Sequence, residues 1–339
     1  MIDARKIRTV GYDIGIDLIK ITTAEPFNEA AKRIKYQIDE GLYLDSEHWH
    51  LRDVDRSCDV RAVLPGARSI IAACQCYLTD ERAESDVTDD PHGSIARYTW
   101  RNHYSDLRER LKKLAGFLKT EYDANTAVFS NSEIPEKPIA QRSGIGYFGK
   151  NSLIINERFG SWVVLGEIIA DIEIDPDPPH RGNCGDCSIC VEMCPTHAII
   201  EPYIIDRRRC IQALTNWYGV LPDDIARVWS NRLYGCTDCQ DSCPANRAVE
   251  AQPVRAEVGY VGPSASLREI LSMSEKEYRR KYARNQMTAR WINFQAIRRN
   301  ALVALGNIRS HGTMPLLEKY ARDNDPILAK SARWAMARF

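Results

Sequence analysis

Eight of the eleven cysteines lie close together, in two sets whose spacing is typical of iron–sulfur ligands. The first set, C-x2-C-x2-C-x3-C-P, runs from Cys184 to Pro195. In bacterial ferredoxins three cysteines of such a run hold one cluster and the fourth belongs to a second cluster. The second set has Cys210 displaced upstream of C-x2-C-x3-C-P, which runs from Cys236 to Pro244. Eight ligands suffice for two [4Fe-4S] clusters.

The crossover of the ferredoxin pattern assigns the ligands of the two clusters. One cluster is expected on Cys184, Cys187, Cys190 and Cys243, and the other on Cys194, Cys210, Cys236 and Cys239. Two structural zinc sites are the alternative, but zinc sites favour separated cysteine pairs, which the triple Cys184, Cys187 and Cys190 fits poorly. Two adjacent clusters form a one-electron relay, so the sequence predicts a protein that moves electrons to an acceptor.

A glycine-rich segment at residues 144–151 matches G-x-G-x-x-G and nearly matches the phosphate loop. A dinucleotide fingerprint follows a buried strand, whereas residues 137–143 are polar and contain proline. A phosphate loop needs a hydroxyl group where Asn151 stands. Two interpretations stay open: glycines that permit positive φ in a tight turn, or a close approach of the backbone at Gly144 and Gly146 to another flat or bulky cofactor.

The elements around the cysteines divide the chain into three parts. Upstream, apolar runs at 69–76 and 162–172 alternate with a helical pattern at 104–122, which predicts a mixed α/β (α+β) domain. The run DPDPP at 175–179 disfavours continued helix or sheet and marks the first boundary. The predicted domains are 1–175, 176–255 and 265–339.

The last part of the chain has helical patterns and a weak repeat. Helices are predicted at 291–308, 314–322 and 327–339. Residues 299–306 and 330–337 are similar at an offset of 31 residues, with small residues in matching places. A helical-hairpin repeat of this length is typical of HEAT-type solenoids, so we expect a small α-helical HEAT-like C-terminal module. Coincidence between alanine-rich helices is the alternative.

Composition and charge narrow the class of protein. The chain has 339 residues, with 44% hydrophobic residues and 46 Lys and Arg against 46 Asp and Glu, as in soluble globular proteins. Zero net charge excludes a uniformly basic nucleic-acid binder. The first residues carry charges without an apolar stretch behind them, so we expect neither a signal peptide nor a membrane span. A cytoplasmic location is expected, where cysteines serve metals or redox chemistry rather than stable disulfides.

Positive charge is nevertheless concentrated between residues 276 and 309. The basic residues there are Lys276, Arg279, Arg280, Lys281, Arg284, Arg290, Arg298, Arg299 and Arg309. Nine bases against the single acid Glu277 give +8, and the aromatic residues among them are Tyr278, Tyr282, Trp291 and Phe294. The mixture predicts phosphate contacts with some stacking, as on an RNA-binding face. A solvated helix face that pairs with acids elsewhere is the alternative.

Six segments carry a resemblance to a known family over nearly the whole chain. They are LPGARSI (64–70), RSGIGYFGKNSLI (142–154), FGSWVVLGEI (159–168), CGDCSICVEMCPTHAI (184–199), YGCTDCQDSCPANR (234–247) and RRNALVALGNI (298–308). With these segments the sequence resembles epoxyqueuosine reductase, the corrinoid iron–sulfur enzyme of queuosine tRNA modification, and more distantly the corrinoid reductive dehalogenases. The resemblance implies a corrinoid-binding domain, a ferredoxin-like double [4Fe-4S] domain and a HEAT-like module that meets tRNA.

The resemblance also implies cobalamin in its base-off form. The sequence lacks D-x-H-x-x-G, the motif with which many corrinoid proteins supply a histidine to cobalt. Without that donor, Co(I) is easier to reach from a cluster of low potential, which a donor of the flavodoxin or ferredoxin type would reduce. The positions matched to the border of the corrin are Arg56, Lys150, Asn151, Ser152, Gly160, Ser161, Ile211, Gln212 and Thr237.

The residues that would face the substrate depart from the family. There, a strand ends in an aspartate, the proposed proton donor to the epoxide, which a proline-valine-x-glutamate element follows. Here residues 129–136 read FSNSEIPE, and Ser130 takes the place of the aspartate. A serine hydroxyl has a pKa far too high for an acid near neutrality. The nearest carboxyl in sequence is Glu133, a candidate donor, and further candidates are Tyr98, His103 and Tyr104.

The sequence therefore predicts a cobalamin-dependent iron–sulfur reductase, with epoxyqueuosine in tRNA as the leading substrate. Because Ser130 replaces the acid, a paralogue with the same cofactors that reduces a small molecule is the first alternative. An electron-transfer or corrinoid-carrier protein without a substrate of its own is the second. For each candidate proton donor, ordinary packing or a solvated loop is the alternative to catalysis.

Overall fold

The amino-terminal half is built on a four-stranded antiparallel sheet. The computed structural model describes residues 2–44, 53–81 and 90–339. The elements of this half are α1 (Ala4–Asp13), β1 (Leu18–Thr23), α2 (Asn28–Asp39), α3 (Val54–Ser57), β2 (Ser69–Cys76), β3 (His92–Ile95), α4 (His103–Tyr122), β4 (Thr126–Phe129), α5 (Glu136–Ser143), β5 (Tyr147–Phe148), β6 (Ile154–Ile155) and β7 (Val163–Ala170). The sheet order is β1-β2-β7-β4, with antiparallel pairing throughout.

Helices cover both faces of this sheet, which explains the apolar runs of its central strands. Helix α4 packs along β7 and β4, while α5 contacts β1, β2 and β7. Every residue of β2 is buried, so the strand shows no alternation of polar and apolar residues. A Cβ at Gly166 in β7 would lie 2.6 Å from Cδ1 of Leu111 in α4. The α4 face is therefore the face of Gly166, and the neighbouring side chain of Glu167 points to the α5 face.

The cysteine segment consists of short elements joined by loops. They are α6 (Ile189–Glu192), β8 (Ile199–Glu201), β9 (Ile204–Ile205), α7 (Ile211–Leu214), α8 (Asp223–Val228), β10 (Arg232–Tyr234) and α9 (Asp238–Asp241). Strands β8 and β9 form a hairpin, and α6 packs against α9. The two helices thereby bring the two cysteine sets together.

A second sheet links distant parts of the sequence. Strand β3 pairs in parallel with β10 and antiparallel with β11 (Ser264–Ser266). The core around this sheet combines Ile95 and Trp100 with Leu233 and Leu267. Residues of all three ranges that the sequence divides thus share one core, because the chain between β2 and α4 leaves the first sheet and joins the later segments.

The carboxy-terminal part is helical. Its helices are α10 (Leu267–Ser272), α11 (Glu275–Lys281), α12 (Phe294–Ile308), α13 (Met314–Ala321) and α14 (Pro326–Met336). Helices α12 and α14 pack at a point where a Cβ on Gly306 would lie 2.7 Å from Cα of Ala335. The small residues of the two similar segments therefore form the contact between these helices. Among the described residues, no helix combines the length and apolar character needed to cross a membrane.

Most predicted elements are confirmed with small shifts at their ends. The strand at 69–76 has the predicted bounds, and the predicted strand at 162–172 is β7. The predicted helix at 104–122 is α4, which begins at His103 because the side chain of Asn102 accepts the N–H of Ser105. The three predicted carboxy-terminal helices are α12, α13 and α14. The segment before the glycine-rich turn is helix α5, which agrees with the rejection of a dinucleotide fingerprint.

Candidate functional site

Four cysteines from the two ends of the cysteine segment line one cavity. Cys184, Cys187, Cys190 and Cys243 surround about 260 Å³ of space open to solvent. The rest of the wall comes from the turn at residues 149–151, together with Ile155 and Pro244. All four cysteines are free thiols. They are the set that the ferredoxin crossover assigns to one cluster.

The other four cysteines also lie near one another. Cys210 precedes α7, Cys239 lies in α9, and Cys236 stands just before that helix. Burial raises the pKa of the Cys239 thiol well above its ordinary value, and the nearby thiols of Cys210, Cys236 and Cys194 raise this pKa further. The thiol of Cys190, from the first set, also raises the pKa of Cys239, so the two sets are adjacent.

Gly160 and Ser161 fasten the amino-terminal half to the cysteine segment. Gly160 has φ of +55°, and a Cβ there would lie 2.1 Å from Oδ1 of Asn246. The same Oδ1 accepts the N–H of Ser161 at 2.7 Å, and Gln240 Nε2 donates to the carbonyl of Ser161 at 2.7 Å. Both residues are buried in this network. Their predicted contact with a corrin remains a prediction.

The glycine-rich turn packs against the chain itself. Gly144 ends α5 with φ of +88°, and a Cβ there would lie 2.5 Å from the carbonyl oxygen of Pro178. At Gly146 a Cβ would lie 2.4 Å from the carbonyl oxygen of Ile155. Protein backbone therefore occupies the space that their missing side chains leave, and the predicted contact of these two glycines with a cofactor stays a prediction.

The turn at Lys150, Asn151 and Ser152 lies beside the cysteines. Asn151 Nδ2 donates to the carbonyl of Cys239 at 3.1 Å, and Lys150 lines the first cysteine cavity. Ser152 has φ of +59°, and its hydroxyl donates to the carbonyl of Tyr203 between β8 and β9 at 2.8 Å. The β8–β9 hairpin thus holds this turn against the cysteine segment.

Tyr98 and Tyr104 lie between the second cysteine set and the loop after β4, and the region around them is called the cleft. Both side chains are partly exposed, and burial raises the pKa of both hydroxyls. Cys210 and Cys236 act electrostatically on Tyr98, whereas Tyr98 and Glu136 act on Tyr104. The cleft therefore extends from the cysteines to Glu136.

Lys137 lies between the two ends of this cleft. Its Nζ donates to the carbonyl of Ser152 at 2.8 Å. Burial lowers the pKa of Lys137, and this group also feels the charges of Glu136, Cys210 and Cys239. A single side chain thus lies within electrostatic reach of both the cysteine set and the carboxyl group.

The remaining predicted cofactor contacts are distributed as follows. Gln212 Nε2 donates to Oη of Tyr98 at 3.4 Å, which places Gln212 at the cleft, and Ile211 beside it is buried. Thr237 begins α9, and its hydroxyl donates to Oδ2 of Asp241 at 2.6 Å. Arg56 is exposed on α3, and its backbone N–H donates to Asp53. Arg56 has no contact with the cleft among the described interactions.

Ser130, which takes the place of the family's acid, and the candidate donor His103 are poorly suited to supply a proton. Ser130 is fully buried, and its hydroxyl donates to the carbonyl of Leu165 at 2.8 Å, so it does not face the cleft. His103 is buried with its ring 5.8 Å from that of Tyr77, and burial lowers the pKa of this imidazole to about 4. Glu133 is partly exposed and has no hydrogen bond or ion pair among the described residues.

Two other carboxyl groups lie beside the cleft. Glu136 is the first residue of α5, and its Oε1 accepts the N–H of Ser132 at 3.3 Å. Burial raises the pKa of Glu136 to about 8. Glu167 in β7 is 1% exposed, and burial together with the charge of Glu136 raises its pKa well above the ordinary value. Sequence reasoning missed both, although Glu167 is the single charged residue between 162 and 170.

Polar atoms around Glu136 lack hydrogen-bond partners within the described chain. They are Glu167 Oε2, Ser132 Oγ and Arg108 Nε. A different nitrogen of Arg108 donates to the carbonyl of Ser130, and the charge of Arg108 acts on Glu136. Buried polar atoms are normally satisfied, so this end of the cleft has hydrogen-bonding capacity for a ligand or water.

The basic stretch is only partly an outer face. Arg279 and Lys281 form ion pairs with Glu275 and Glu269, and Arg298 donates to the carbonyl of Met273. The exposed bases without an ion pair among the described residues are Lys276, Arg280, Arg284, Arg290 and Arg309. Of the four aromatic residues, Trp291 is 61% exposed, whereas Tyr278, Tyr282 and Phe294 are buried in the core. The predicted interleaved face is thus corrected to five bases and one tryptophan.

Arg299 is buried and links α12 to the cysteine segment through hydrogen bonds. It is 0% exposed, and its guanidinium donates to the carbonyls of Leu214, Trp217 and Gly219 at 2.6–2.8 Å. Asn300 Nδ2 donates to the carbonyl of Thr215 at 2.9 Å. The turn after Cys210 is therefore tied to the carboxy-terminal helices.

Two family models match the chain. Residues 183–246 match a 4Fe-4S double cluster binding domain, and residues 58–132 match the family described as epoxyqueuosine reductase QueG, DUF1730. The first match covers both cysteine sets. The segment therefore binds two [4Fe-4S] clusters, and the alternative of two structural zinc sites is wrong.

Relatives and solved structures match over most of the chain. The epoxyqueuosine reductase of Staphylococcus aureus is 33% identical over 96% of this chain and 86% of its own length, and that of Escherichia coli is 31% identical over 98% and 89%. A crystal structure of epoxyqueuosine reductase with an epoxyqueuosine-modified tRNA-Tyr stem loop has a TM-score of 0.90 at 29% identity, covering 98% of this chain and 89% of that one. The Bacillus subtilis enzyme, with its catalytic loop swung out of the active site, has a TM-score of 0.89 at 30% identity, with the same coverage.

Proposed function

The chain belongs to the epoxyqueuosine reductase family, and on this basis we propose that it reduces epoxyqueuosine to queuosine in tRNA. It is an oxidoreductase of queuosine biosynthesis. The relative crystallised with a modified tRNA stem loop supports tRNA as the partner. Neither alternative, a small-molecule reductase or a carrier without a substrate, has comparable support among the reported relatives.

One observation carries the proposal. The cleft lined by Tyr98 and Tyr104 reaches from the second cysteine set to the carboxyl group of Glu136, and Lys137 lies within reach of both. A reductase must bring its source of electrons and its source of protons to the same substrate atom. We propose that those two chemistries meet in this cleft.

Cobalamin is the further cofactor that family membership implies. In favour of such a group, Tyr98 and Tyr104 at the cleft are partly exposed, and three polar atoms lack hydrogen-bond partners among the described residues: Glu167 Oε2, Ser132 Oγ and Arg108 Nε. Bound base-off, it would supply a low-valent cobalt that can pass electrons to an organic substrate. The side chains that we propose to hold it are Lys150, Asn151, Ser152, Ile211, Gln212 and Thr237, with Arg56, Gly160 and Ser161 as further family positions.

The ligand sets of the two clusters are testable through Cys243. We expect Cys243→Ala to remove the cluster on Cys184, Cys187 and Cys190, because the cysteine cavity loses its fourth wall. Iron should fall from about eight to about four atoms per chain, with acid-labile sulfide in parallel. Cys58→Ala is the control, since Cys58 is buried away from both sets and should leave the iron content unchanged. Loss of the cluster on Cys236 and Cys239 instead would reverse the assignment.

We further propose that the exposed bases of the carboxy-terminal part contact tRNA, with α12, α13 and α14 as a HEAT-like module. Support comes from two hydrogen bonds that hold the basic stretch beside residues 98–104. Asn285 Nδ2 donates to the carbonyl of Thr99, and Gln286 Nε2 donates to Oδ1 of Asn102. Arg284, Arg290 and exposed Trp291 therefore lie on the segment that adjoins residues 98–104, which include Tyr98 and Tyr104. Bases with an aromatic surface suit phosphate contacts and stacking.

The electron donor is proposed to be a protein of the flavodoxin or ferredoxin type. Cys187 is exposed, whereas Cys190 and Cys243 of the same cavity are buried. We therefore expect the donor to dock at the Cys187 side of the cysteine segment.

The deciding experiment is anaerobic turnover of epoxyqueuosine tRNA by the cluster-loaded protein with cobalamin and a low-potential reductant. We expect queuosine in the digested tRNA, detected by mass spectrometry, and none when cobalamin is omitted. A halogenated aromatic compound serves as the competing small-molecule substrate. Reduction of that compound with no queuosine formed would overturn the proposal.

A further inference from the structure

Reduction of the epoxide requires an acid that the sequence leaves unassigned. Removal of the epoxide oxygen to leave an alkene consumes two electrons and two protons and releases one water. Two C–O bonds break, and the departing oxygen takes up both protons. Ser130 cannot supply them, because its hydroxyl is buried and donates to the carbonyl of Leu165. The inference below rests on the proposed function and concerns the source of these protons.

Glu136 is placed to reach the cleft from the loop that carries Ser130. It lies six residues further on, at the start of α5, and the N–H of Ser132 holds one of its oxygens at 3.3 Å. Its side chain is partly exposed, whereas Ile134 and Ile139 on either side are buried. The loop thus folds so that Glu136, rather than Ser130, presents its polar group toward Tyr104.

Glu167 lies behind Glu136 on the same face of the sheet. Its neighbour Gly166 faces α4, so Glu167 faces α5, where Glu136 begins the helix. Glu167 pairs with Phe129 of β4, which places it at the strand end from which the loop departs. Oε2 of Glu167 has no hydrogen-bond partner among the described residues. An ionised carboxylate in this position would be both desolvated and opposed by Glu136.

The charged and titratable groups around the pair come from four elements. Tyr104 and Arg108 face it from α4, Lys137 from α5, and Glu167 from β7, while the loop after β4 contributes the backbone N–H groups of Asn131 and Ser132. The N–H groups, Lys137 and Arg108 lower the pKa of Glu136, yet burial outweighs them and raises it to about 8. Two interacting carboxyls resist the loss of both protons, so the pair retains at least one near neutrality.

We propose that Glu136, with Glu167 behind it, supplies the protons to the epoxide oxygen in this cleft. Glu136 donates one proton as the first C–O bond breaks. It then takes a proton from water, to which it is partly exposed, and donates this second proton as the oxygen leaves as water. The two electrons come from the low-potential donor. Glu167 lies behind Glu136 and stays protonated, because burial and the charge of Glu136 raise its pKa.

The test compares Glu136→Gln with the wild-type holoenzyme in single turnovers on epoxyqueuosine tRNA. Glutamine keeps the shape of the side chain but cannot act as an acid, so we expect the rate to fall by about 10²- to 10⁴-fold. The wild-type rate should decline as pH rises through about 8, where Glu136 loses its proton. In Glu167→Gln this decline should stay near pH 8, because the raised pKa of Glu167 keeps that carboxyl protonated and uncharged while Glu136 titrates. Iron content and tRNA binding report on folding.

Glu109→Gln is the matched control, since it removes an exposed carboxyl next to Arg108 that pairs with Lys112. An unchanged rate in Glu136→Gln, or a loss of rate in Glu133→Gln alone, would overturn the assignment. Infrared difference spectroscopy of the substrate-free holoenzyme gives a readout without turnover: the band of a protonated carboxyl should titrate near pH 8 and vanish in Glu136→Gln. If the wild type does not reduce epoxyqueuosine tRNA, the proposed function fails, and this band alone decides whether the pair stores a proton.

Discussion

Two regions of the molecule keep ionisable groups away from water, and they treat them differently. In the carboxy-terminal helices, the guanidinium of Arg299 donates to three backbone carbonyls and to Oδ1 of Asn300, all within 2.9 Å. In the sheet of the amino-terminal half, Glu167 has an oxygen without a partner among the described residues. Glu136 beside it accepts one described hydrogen bond, at 3.3 Å.

The difference separates a structural charge from a reactive one. A buried charge whose hydrogen bonds are all made holds its surroundings in one arrangement. Buried carboxyls with unused hydrogen-bonding capacity and a shifted pKa are typical of functional sites. Arg299 therefore fixes the turn after Cys210 to the helices proposed to meet tRNA, while Glu136 and Glu167 remain available for chemistry.

Arg299→Met should give the largest effect on stability. Methionine fills much of the space but leaves the carbonyls of Leu214, Trp217 and Gly219 without donors. Each buried carbonyl left without a donor costs about 1–3 kcal/mol. Removal of the desolvated guanidinium charge offsets part of this cost, so we expect the free energy of unfolding to fall by about 2–4 kcal/mol. Denaturant unfolding of the holoenzyme measures the change.

Arg298→Met is the control, because this neighbouring arginine is partly exposed and donates to one carbonyl, that of Met273, at 2.7 Å. Its loss should cost about 0.5–1.5 kcal/mol. Equal losses of stability in the two variants would show that the buried Arg299 stabilises the fold no more than the partly exposed Arg298 does.

Local sequence patterns predicted the elements and the cysteine sets, since both depend on spacing along the chain. The strand at 69–76 and the ligand set with Cys243 follow from periodicity and from the ferredoxin crossover. The sequence has nine bases at 276–309, yet their number does not reveal that Arg299 is buried. Burial of a charged residue within a helix depends on which segment packs against it, and that segment lies 80 residues away at Gly219.

The proposed proton donor was missed for a similar reason. Glu133 is the carboxyl nearest to Ser130 in sequence, but it has no hydrogen bond or ion pair among the described residues, whereas Glu136 accepts the N–H of Ser132 and acts on Tyr104. Glu167 belongs to an apolar strand, and only the register of β7 with β4 and the packing of α5 bring it to Glu136. Distance along the chain was therefore a poor guide to distance in space.

Ser130→Asp sharpens the comparison by adding a third carboxyl to the same region. Ser130 is fully buried and donates to the carbonyl of Leu165, whereas an ionised aspartate can only accept and would face that oxygen. We expect a loss of about 1–3 kcal/mol near neutral pH. The loss should shrink as pH falls toward the ordinary aspartate pKa of about 4, because a protonated carboxyl can donate.

Thermal unfolding of Ser130→Asp and Ser130→Ala at two pH values checks this. Alanine removes one hydrogen bond, about 1 kcal/mol, with no dependence on pH. An aspartate variant as stable as the wild type at both pH values would mean that the loop reorganises and exposes position 130.

Glu136→Gln should change stability in the opposite direction, as a gain that depends on pH. The fold raises the pKa of Glu136 from 4.5 to about 8, so the native state holds this proton more tightly than the unfolded chain does. Wild-type stability therefore falls as pH rises from 4.5 to about 8, and a neutral glutamine avoids that loss. Relative to the wild type, the variant should become more stable as pH rises from about 5 to 8, because glutamine has no proton to lose. Glu109→Gln, which alters an exposed ion pair, should show no such gain.

The contradicting outcome is a wild type that unfolds at the same temperature as Glu136→Gln at every pH in this range. Glu136 would then behave as an ordinary surface carboxylate, and only Arg299 would remain as evidence for the difference between the two regions.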